Sequence, residues 1–315
     1  MLNVVFMGSP EFAVPCLNAL SENPICKLVG VVSQPDKPAG RGRKLTPPPV
    51  KARAIELGLD VYQPPGLRKE GRLDPIFAWE PDLIVVVAYG KILPKALLDF
   101  PRLGCVNVHA SLLPRHRGAS PIHQSILMGD EKTGVALMQM DEGLDTGAVL
   151  AQAEHPLCST SRTPALSTAL SALGAQLLTD NIGELAAGRL PPVAQPDEGV
   201  THAPLIAKSD GFLSPLESGT QSDRKVRAYD PWPGTFMMLN EQRIKVFDLR
   251  FIAGEVNKSV GEVLSTDDGK VTVQWSDGII ELLEVHPAGR KRSAAAAWIS
   301  GRGVKVGDTF SLKLP

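Results

Sequence analysis

Short runs that are apolar at most positions, separated by stretches of helical length, constrain this chain more than any other feature. Leu2–Met7, Ile25–Ser33, Leu83–Val87 and Gly104–Val108 read as strands, with helices over Pro10–Ser21 and Val50–Gly58. Such strands bury both faces, as in a parallel sheet covered by crossover helices. Ligands of these sheets lie at the carboxyl ends of the strands. The tight Gly8-Ser9-Pro10 corner after the first strand therefore marks the edge of a site: glycine permits the turn and proline suits a first helical turn.

A chain of 315 residues has room for two domains. A Leu/Ala-rich helix over about Thr163 to Ala187 ends at Gly188, Pro191 and Pro192, and the composition then shifts. We expect a first domain over 1–189, a linker over 190–204 and a second domain over 205–315. Beyond 205, a helical stretch near Ser222–Tyr229 precedes strand-like runs at Arg243–Phe251, Ser259–Ser265, Lys270–Gln274 and Ile279–Val285. Turn signals such as Asp267-Asp268-Gly269 and Ser276-Asp277-Gly278 separate them. The expected fold class is α/β: a doubly wound, mostly parallel sheet domain followed by a small β-barrel (OB-like) domain.

Several functional classes drop out. Lys plus Arg is 33 against 34 for Asp plus Glu, which fits neither a histone-like polycation nor an acidic disordered tail. Aromatics, at 5%, are too few for a single-strand stacking platform. The longest apolar runs, such as Leu83–Ala88, fall short of the roughly 20 residues of a spanning helix. Leu2–Met7 has no basic segment before it and reads as a buried strand, not a signal peptide. Cys16, Cys26, Cys105 and Cys158 show no CxxC or Cys/His ligand spacing, so no metal is expected and a reducing cytoplasm fits best. The first turn, Gly8-Ser9-Pro10-Glu11-Phe12, lacks the GxGxxG of a nicotinamide-dependent oxidoreductase.

Chemistry concentrates in two segments. Asn107-Val108-His109 ends the Gly104–Val108 strand and leads through Ser111-Leu112-Leu113-Pro114-Arg115-His116-Arg117-Gly118 into a helix. Residues two apart in extended chain share a face, so Asn107 and His109 sit side by side. An amide and an imidazole so placed can stabilise an oxyanion and move a proton. His109 alone is equally compatible with a hydrogen-bonded core histidine. The second segment, Met140-Asp141-Glu142-Gly143-Leu144-Asp145-Thr146-Gly147, follows a Gly134–Met140 strand. It can bring a carboxylate to His109 and raise the imidazole pKa, or be a solvated acidic turn.

SLLPRHRGASPI, preceded by NVH and followed by MQMDEGLDTG, resembles the signature of the 10-formyltetrahydrofolate-dependent formyltransferases. The family's catalytic Asn, His and Asp fall on Asn107, His109 and Asp145. Gln34–Lys44, VVVAYGKILP at 85–94, PWP at 231–233 and HPAGRKR at 286–292 resemble the branch acting on initiator methionyl-tRNA. Departures are Tyr229-Asp230 before the PWP and a variable 151–165 segment. The resemblance implies 10-formyltetrahydrofolate as formyl donor, initiator methionyl-tRNA as acceptor, no metal, no membrane, and a monomer. It assigns the donor to Ser111, Leu112, Leu113, Pro114, Val87, Tyr89, Gly90, Ile92, Leu93 and Asp141. It also implies that Asp145 keeps His109 charged while His109 and Asn107 hold the oxyanion. Arg115 and Arg117 suit either a folate glutamate tail or RNA phosphates.

Between Asp36 and Arg53 stand six basic residues and one acid, with Gly40 and Gly42 loosening the backbone. This basic finger suits an RNA backbone, with Arg41, Arg43 and Lys44 as contacts. From residue 205 on, fifteen Lys/Arg balance fourteen Asp/Glu, so RNA binding there requires charge gathered on one face. Arg290 and Lys291 are the candidates, with Arg292 and the Arg224, Lys225 and Arg227 group beside them. A formyltransferase of small amines would need neither the finger nor a second domain, and a binding module would not need the three catalytic residue types together.

Overall fold

The structure, a computed structural model, describes residues 1–39 and 44–314. Contacts divide the chain into two compact units. The first comprises 1–121, 131–156 and 166–204; the second comprises 122–130, 157–165 and 205–315.

The first unit is built on a seven-stranded sheet. Its order is Val149–Pro156, Lys132–Gln139, Cys105–His109, Leu83–Val87, Leu2–Gly8, Cys26–Val32, Val61–Tyr62. The five strands from Cys105–His109 onward run parallel, and the other two join by antiparallel pairings. The sheet is therefore mostly parallel, as expected. Continuous apolar runs end up where both faces are covered: Leu83–Val87 is buried at every position. The chain passes from Leu2–Gly8 outward to Cys26–Val32 and Val61–Tyr62, then crosses back to Leu83–Val87. That reversal opens a crevice at the carboxyl ends of the central strands.

The Gly8 corner is there for close approach. A Cβ on Gly8 would lie 2.9 Å from the Val87 carbonyl oxygen and 3.0 Å from the Ala13 methyl. The expected helix after it resolves into a short turn, Glu11–Ala13, and a helix, Val14–Glu22, with Pro15 in its first turn and Cys16, Leu17 and Leu20 buried. The long helix Thr163–Ala186 forms as expected. At Gly174 it approaches the sheet so closely that a Cβ would meet the Val108 side chain at 2.9 Å, and Ser171 Oγ donates to the Phe12 carbonyl at 2.6 Å. This packing fixes the strand that carries Asn107 and His109.

Two stretches differ from the sequence reading. The strand Val149–Pro156, its side chains half covered on alternate positions from Ala151 on, runs into the 151–165 segment read as variable, for which no strand was expected. Residues 190–204, read as a linker, belong to the first unit: Val193 bridges Val149, and His202–Ala203 pairs in parallel with Arg117–Gly118.

The second unit carries a separate antiparallel sheet in the order Thr235–Leu239, Gln242–Ala253, Gly278–Pro287, Val271–Trp275, Val263–Ser265, with Ser293–Ala294 also pairing Gly278–Pro287. The expected closed barrel is not found among the described residues: these strands form an open path. Its edges are touched by single bridges from the C-terminal segment, Leu239 to Phe310 and Glu262 to Thr309. Too few residues remain in register there to build a closing strand. The core beneath the sheet gathers Trp275, Val263, Val271, Val273, Ile280 and Leu282, all fully buried. Trp275 is the largest of these side chains, and its indole N–H has no partner among the described residues. Trp275→Ala should therefore destabilise this unit by about 3–5 kcal/mol, while Trp275→Phe, which also removes an unpartnered polar group, should cost much less. Urea unfolding of the two variants followed in the second unit gives the comparison.

Candidate active site

The carboxyl ends of the central strands are laced together. Ser9 Oγ accepts from the Gln34 backbone N–H at 3.1 Å, and the Gln34 side-chain amide donates to the Tyr89 carbonyl at 2.7 Å. In the neighbouring register Val86 pairs with Asn107, so the Val87–Gly90 turn and the His109–Pro114 loop leave the sheet side by side.

Asn107, His109 and Asp145 come together at this end. Asn107 Nδ2 donates to Asp145 Oδ1 at 3.4 Å, and His109 Nδ1 lies 3.7 Å from Asp145 Oδ2. The side chains of His109 and Asp145 are 6% and 14% exposed, so the pair is screened from bulk water. The His109 Nε2 lies 3.1 Å from the His116 carbonyl oxygen. A carbonyl only accepts, so Nε2 carries the hydrogen and Nδ1 is left facing Asp145. Asp145 Oδ2 also accepts from the Gly118 backbone N–H at 2.8 Å. The position requires glycine: Gly118 has φ 126, and a Cβ there would run into the Ala203 carbonyl.

Burial pushes the His109 imidazole below the ordinary histidine range, and it outweighs the Asp145 carboxylate and the His116 carbonyl, which both favour the charged ring. The free site thus differs from the expectation of a histidine held charged by Asp145. Desolvation penalises the cation more than one carboxylate at 3.7 Å repays it.

The donor residues named above distribute unevenly. Ser111, Val87, Tyr89, Leu93 and Leu113 are buried, while Leu112 and Pro114 are half-buried. Gly90, Ile92 and Asp141 are exposed. Asp141 organises its own loop, its Oδ1 accepting from Gly143 N–H at 3.0 Å and from Thr146 Oγ at 2.8 Å. Arg41 and Arg43 lie outside the described residues. Lys44 is exposed in a two-stranded ribbon, Lys37–Ala39 against Lys44–Thr46. In the second unit Arg290 and Lys291 are exposed, and Arg290 donates to the Gly301 carbonyl at 3.1 Å.

Other basic residues are committed elsewhere. Lys51 pairs with Asp36, Arg53 with Glu56, Lys225 with Glu217, Arg227 with Asp223 and Arg292 with Glu284. The sequence reading missed the His116 carbonyl and Gly118 N–H as site groups, although both lie in the quoted loop: main-chain atoms have no residue-type signature. It also missed residues 195–201, whose composition resembles a spacer.

The depressed His109 pKa has a sign that can be checked. The unfolded chain takes up this proton near pH 6.5, while the buried folded ring resists it. The associated stability is present above that pH and is lost as pH falls toward the folded value. The unfolding free energy should drop between about pH 7.5 and 5.5, by no more than about 1.4 kcal/mol per pH unit for this group. His109→Asn should flatten that part of the profile; an identical slope in the variant would contradict a buried neutral ring.

Comparison with known proteins shows the family. Residues 2–182 match the formyl transferase family, and residues 205–303 match the formyl transferase C-terminal domain. A methionyl-tRNA formyltransferase from Halorhodospira halophila is 46% identical over 305 residues, covering 97% of this chain and 98% of the relative. Another, from Bacillus subtilis, is 39% identical over 313 residues, covering 99% and 98%. Among solved structures, WlaRD, a sugar 3N-formyl transferase, superposes with a TM-score of 0.66 at 15% identity, over 92% of this chain and 99% of that one. That likeness is one of fold. With both domains matched in order, the chain belongs to the formyl transferase family.

Proposed function

We propose that the chain transfers the formyl group of 10-formyltetrahydrofolate to the α-amine of methionine on initiator methionyl-tRNA, giving formylmethionyl-tRNA for translation initiation in the cytoplasm. The observation that carries the chemistry is the convergence of Asn107, His109 and Asp145 in a nearly water-free strand end. The acceptor rests on the two relatives, both named methionyl-tRNA formyltransferase and matched over nearly their whole length.

A folate-derived donor is supported by the sugar formyl transferase, which is described in the presence of 5-N-formyl-THF. The groups at the strand ends suit such a molecule. The buried Tyr89 hydroxyl has no partner, and Ile92 on the same segment is 67% exposed, offering apolar surface. The 86–93 segment, Ser111–Pro114 and Asp141 would hold the donor. When bound, it supplies a formyl group already activated on nitrogen.

The side chains divide the work. One Asn107 N–H engages Asp145, which leaves the second to donate to the formyl oxygen as negative charge develops. Neutral His109, its Nε2–H spent on the His116 carbonyl, presents Nδ1 to take the proton from the attacking amine. Asp145 Oδ2 stabilises the imidazolium that results. The same proton then passes from Nδ1 to the departing folate nitrogen as its bond to the formyl carbon breaks. Low resting basicity suits this cycle, because the ring must be neutral when the amine arrives.

For the RNA, we assign contacts to Arg41, Arg43, Lys44, Arg290 and Lys291. Lys44 and Lys291 have no ion-pair partner among the described residues, so both charges remain available to phosphates.

The direct test offers formyl-labelled 10-formyltetrahydrofolate to initiator methionyl-tRNA and, in parallel, to glycinamide ribonucleotide. Label on the tRNA is expected; label on the small amine alone would sink the proposal. Asn107→Ala and His109→Ala should each lower turnover by about 10²–10³ or more in chains that remain folded. Lys44→Ala and Lys291→Ala should each weaken tRNA binding and reduce the slope of log affinity against log salt by about 1. Unchanged slopes would remove those residues from the interface.

A further inference from the structure

The segment 193–204 runs against the active-site loops, and two of its side chains bond to them. Gln195 Nε2 donates to two carbonyls of one loop, Asp145 at 2.8 Å and Gly147 at 2.8 Å. Its Oε1 accepts from Arg117 Nε at 2.9 Å on the other loop. The amide therefore uses both donors and its acceptor. Thr201 Oγ accepts from the His116 backbone N–H at 2.9 Å and pairs with His116 Nδ1 at 3.1 Å. The Thr201 carbonyl accepts from the Arg117 N–H at 2.9 Å, and the Ala203 carbonyl from the Ala119 N–H at 2.8 Å. Ser120 Oγ donates to the Pro204 carbonyl.

We infer that Gln195 and Thr201 are positioning residues of the reaction, setting the geometry of Asp145 and His109 without touching substrate. The inference rests on the reading of Asn107, His109 and Asp145 as the catalytic groups.

Two of the residues they hold sit where side chains rarely go. Asp145 has φ 52 and His116 has φ 58. Left-handed backbone at a non-glycine residue persists only when its surroundings hold it there. For Asp145 the holder is the Gln195 amide on its carbonyl. For His116 it is Thr201, gripping both the backbone N–H and the ring.

Each grip reaches the catalytic groups in one further step. The His116 carbonyl, aimed by that backbone conformation, sets the His109 tautomer. Gly118, paired with the same segment, supplies the N–H on Asp145 Oδ2. The titratable groups facing His109 are Asp145 and His116, and both are held from this segment. The 3.7 Å separation between His109 and Asp145 thus depends on residues that sequence alone reads as a spacer.

The test uses the full chain with Gln195→Ala, Gln195→Glu, Thr201→Val, Thr201→Ser and His109→Asn, measuring kcat and KM for formyl transfer from about pH 5.5 to 9. Gln195→Ala and Thr201→Val should lower kcat on the order of 10- to 100-fold, as a small misplacement of reacting groups does. KM for both substrates should stay within about twofold, and the acidic limb of the kcat profile should shift. Gln195→Glu should behave as Gln195→Ala, because a carboxylate cannot donate to two carbonyls. Thr201→Ser keeps the hydroxyl and should retain most of the turnover. Wild-type kcat in Gln195→Ala and Thr201→Val, with His109→Asn inactive, would overturn the inference alone. So would a lower kcat with an unmoved acidic limb, or Thr201→Ser as impaired as Thr201→Val. An active His109→Asn would bring down the catalytic reading and this inference with it.

Discussion

The Asp145 carboxylate is the group around which the candidate site is organised. It is largely withdrawn from water, and a buried charge is tolerated only where hydrogen bonds replace its hydration. Gly118 N–H and the Asn107 amide provide that replacement, with the His109 ring close by. These groups come from two separate parts of the chain. Asn107 and His109 are carried by a strand locked into the parallel sheet, and Gly118 by a loop paired with the 202–203 segment. The fold brings the Asn107 and Gly118 donors to one point, and the carboxylate needs both.

The same arrangement explains why the histidine rests neutral. A single carboxylate outside hydrogen-bond distance cannot offset removal of the ring from water. The proposed chemistry benefits, because a ring that is neutral at rest and partnered when protonated can accept a proton and return it within one cycle. Asn107 acts differently. Its amide carries no titratable charge, so its contribution to an oxyanion does not vary with pH.

In the second unit several basic side chains are spent locally. Lys225, Arg227 and Arg292 are taken by carboxylates of the same unit, which leaves exposed residues such as Lys291 to present charge outward. The residues tied in pairs define the sheet's own framework, and those left over define what it can meet.

Sequence alone determined the parallel sheet, the long helix and the pairing of Asn107 with His109 on one face. These follow from local periodicity: apolar runs of strand length, a helix of 24 residues and a spacing of two. The loop SLLPRHRGASPI and the acid-bearing Asp141–Gly147 turn were legible because glycine, proline and ionisable side chains leave a pattern by residue type. Tertiary structure alone decided the rest. The 190–204 segment reads as a spacer because its bonds to Asp145, His116 and Arg117 join residues about 50 to 85 positions apart. Whether the second sheet closes depends on how its edges meet, and turn signals report only where strands end. The charge state of His109 was likewise beyond reach of spacing, since it is set by how completely distant segments exclude water from the ring.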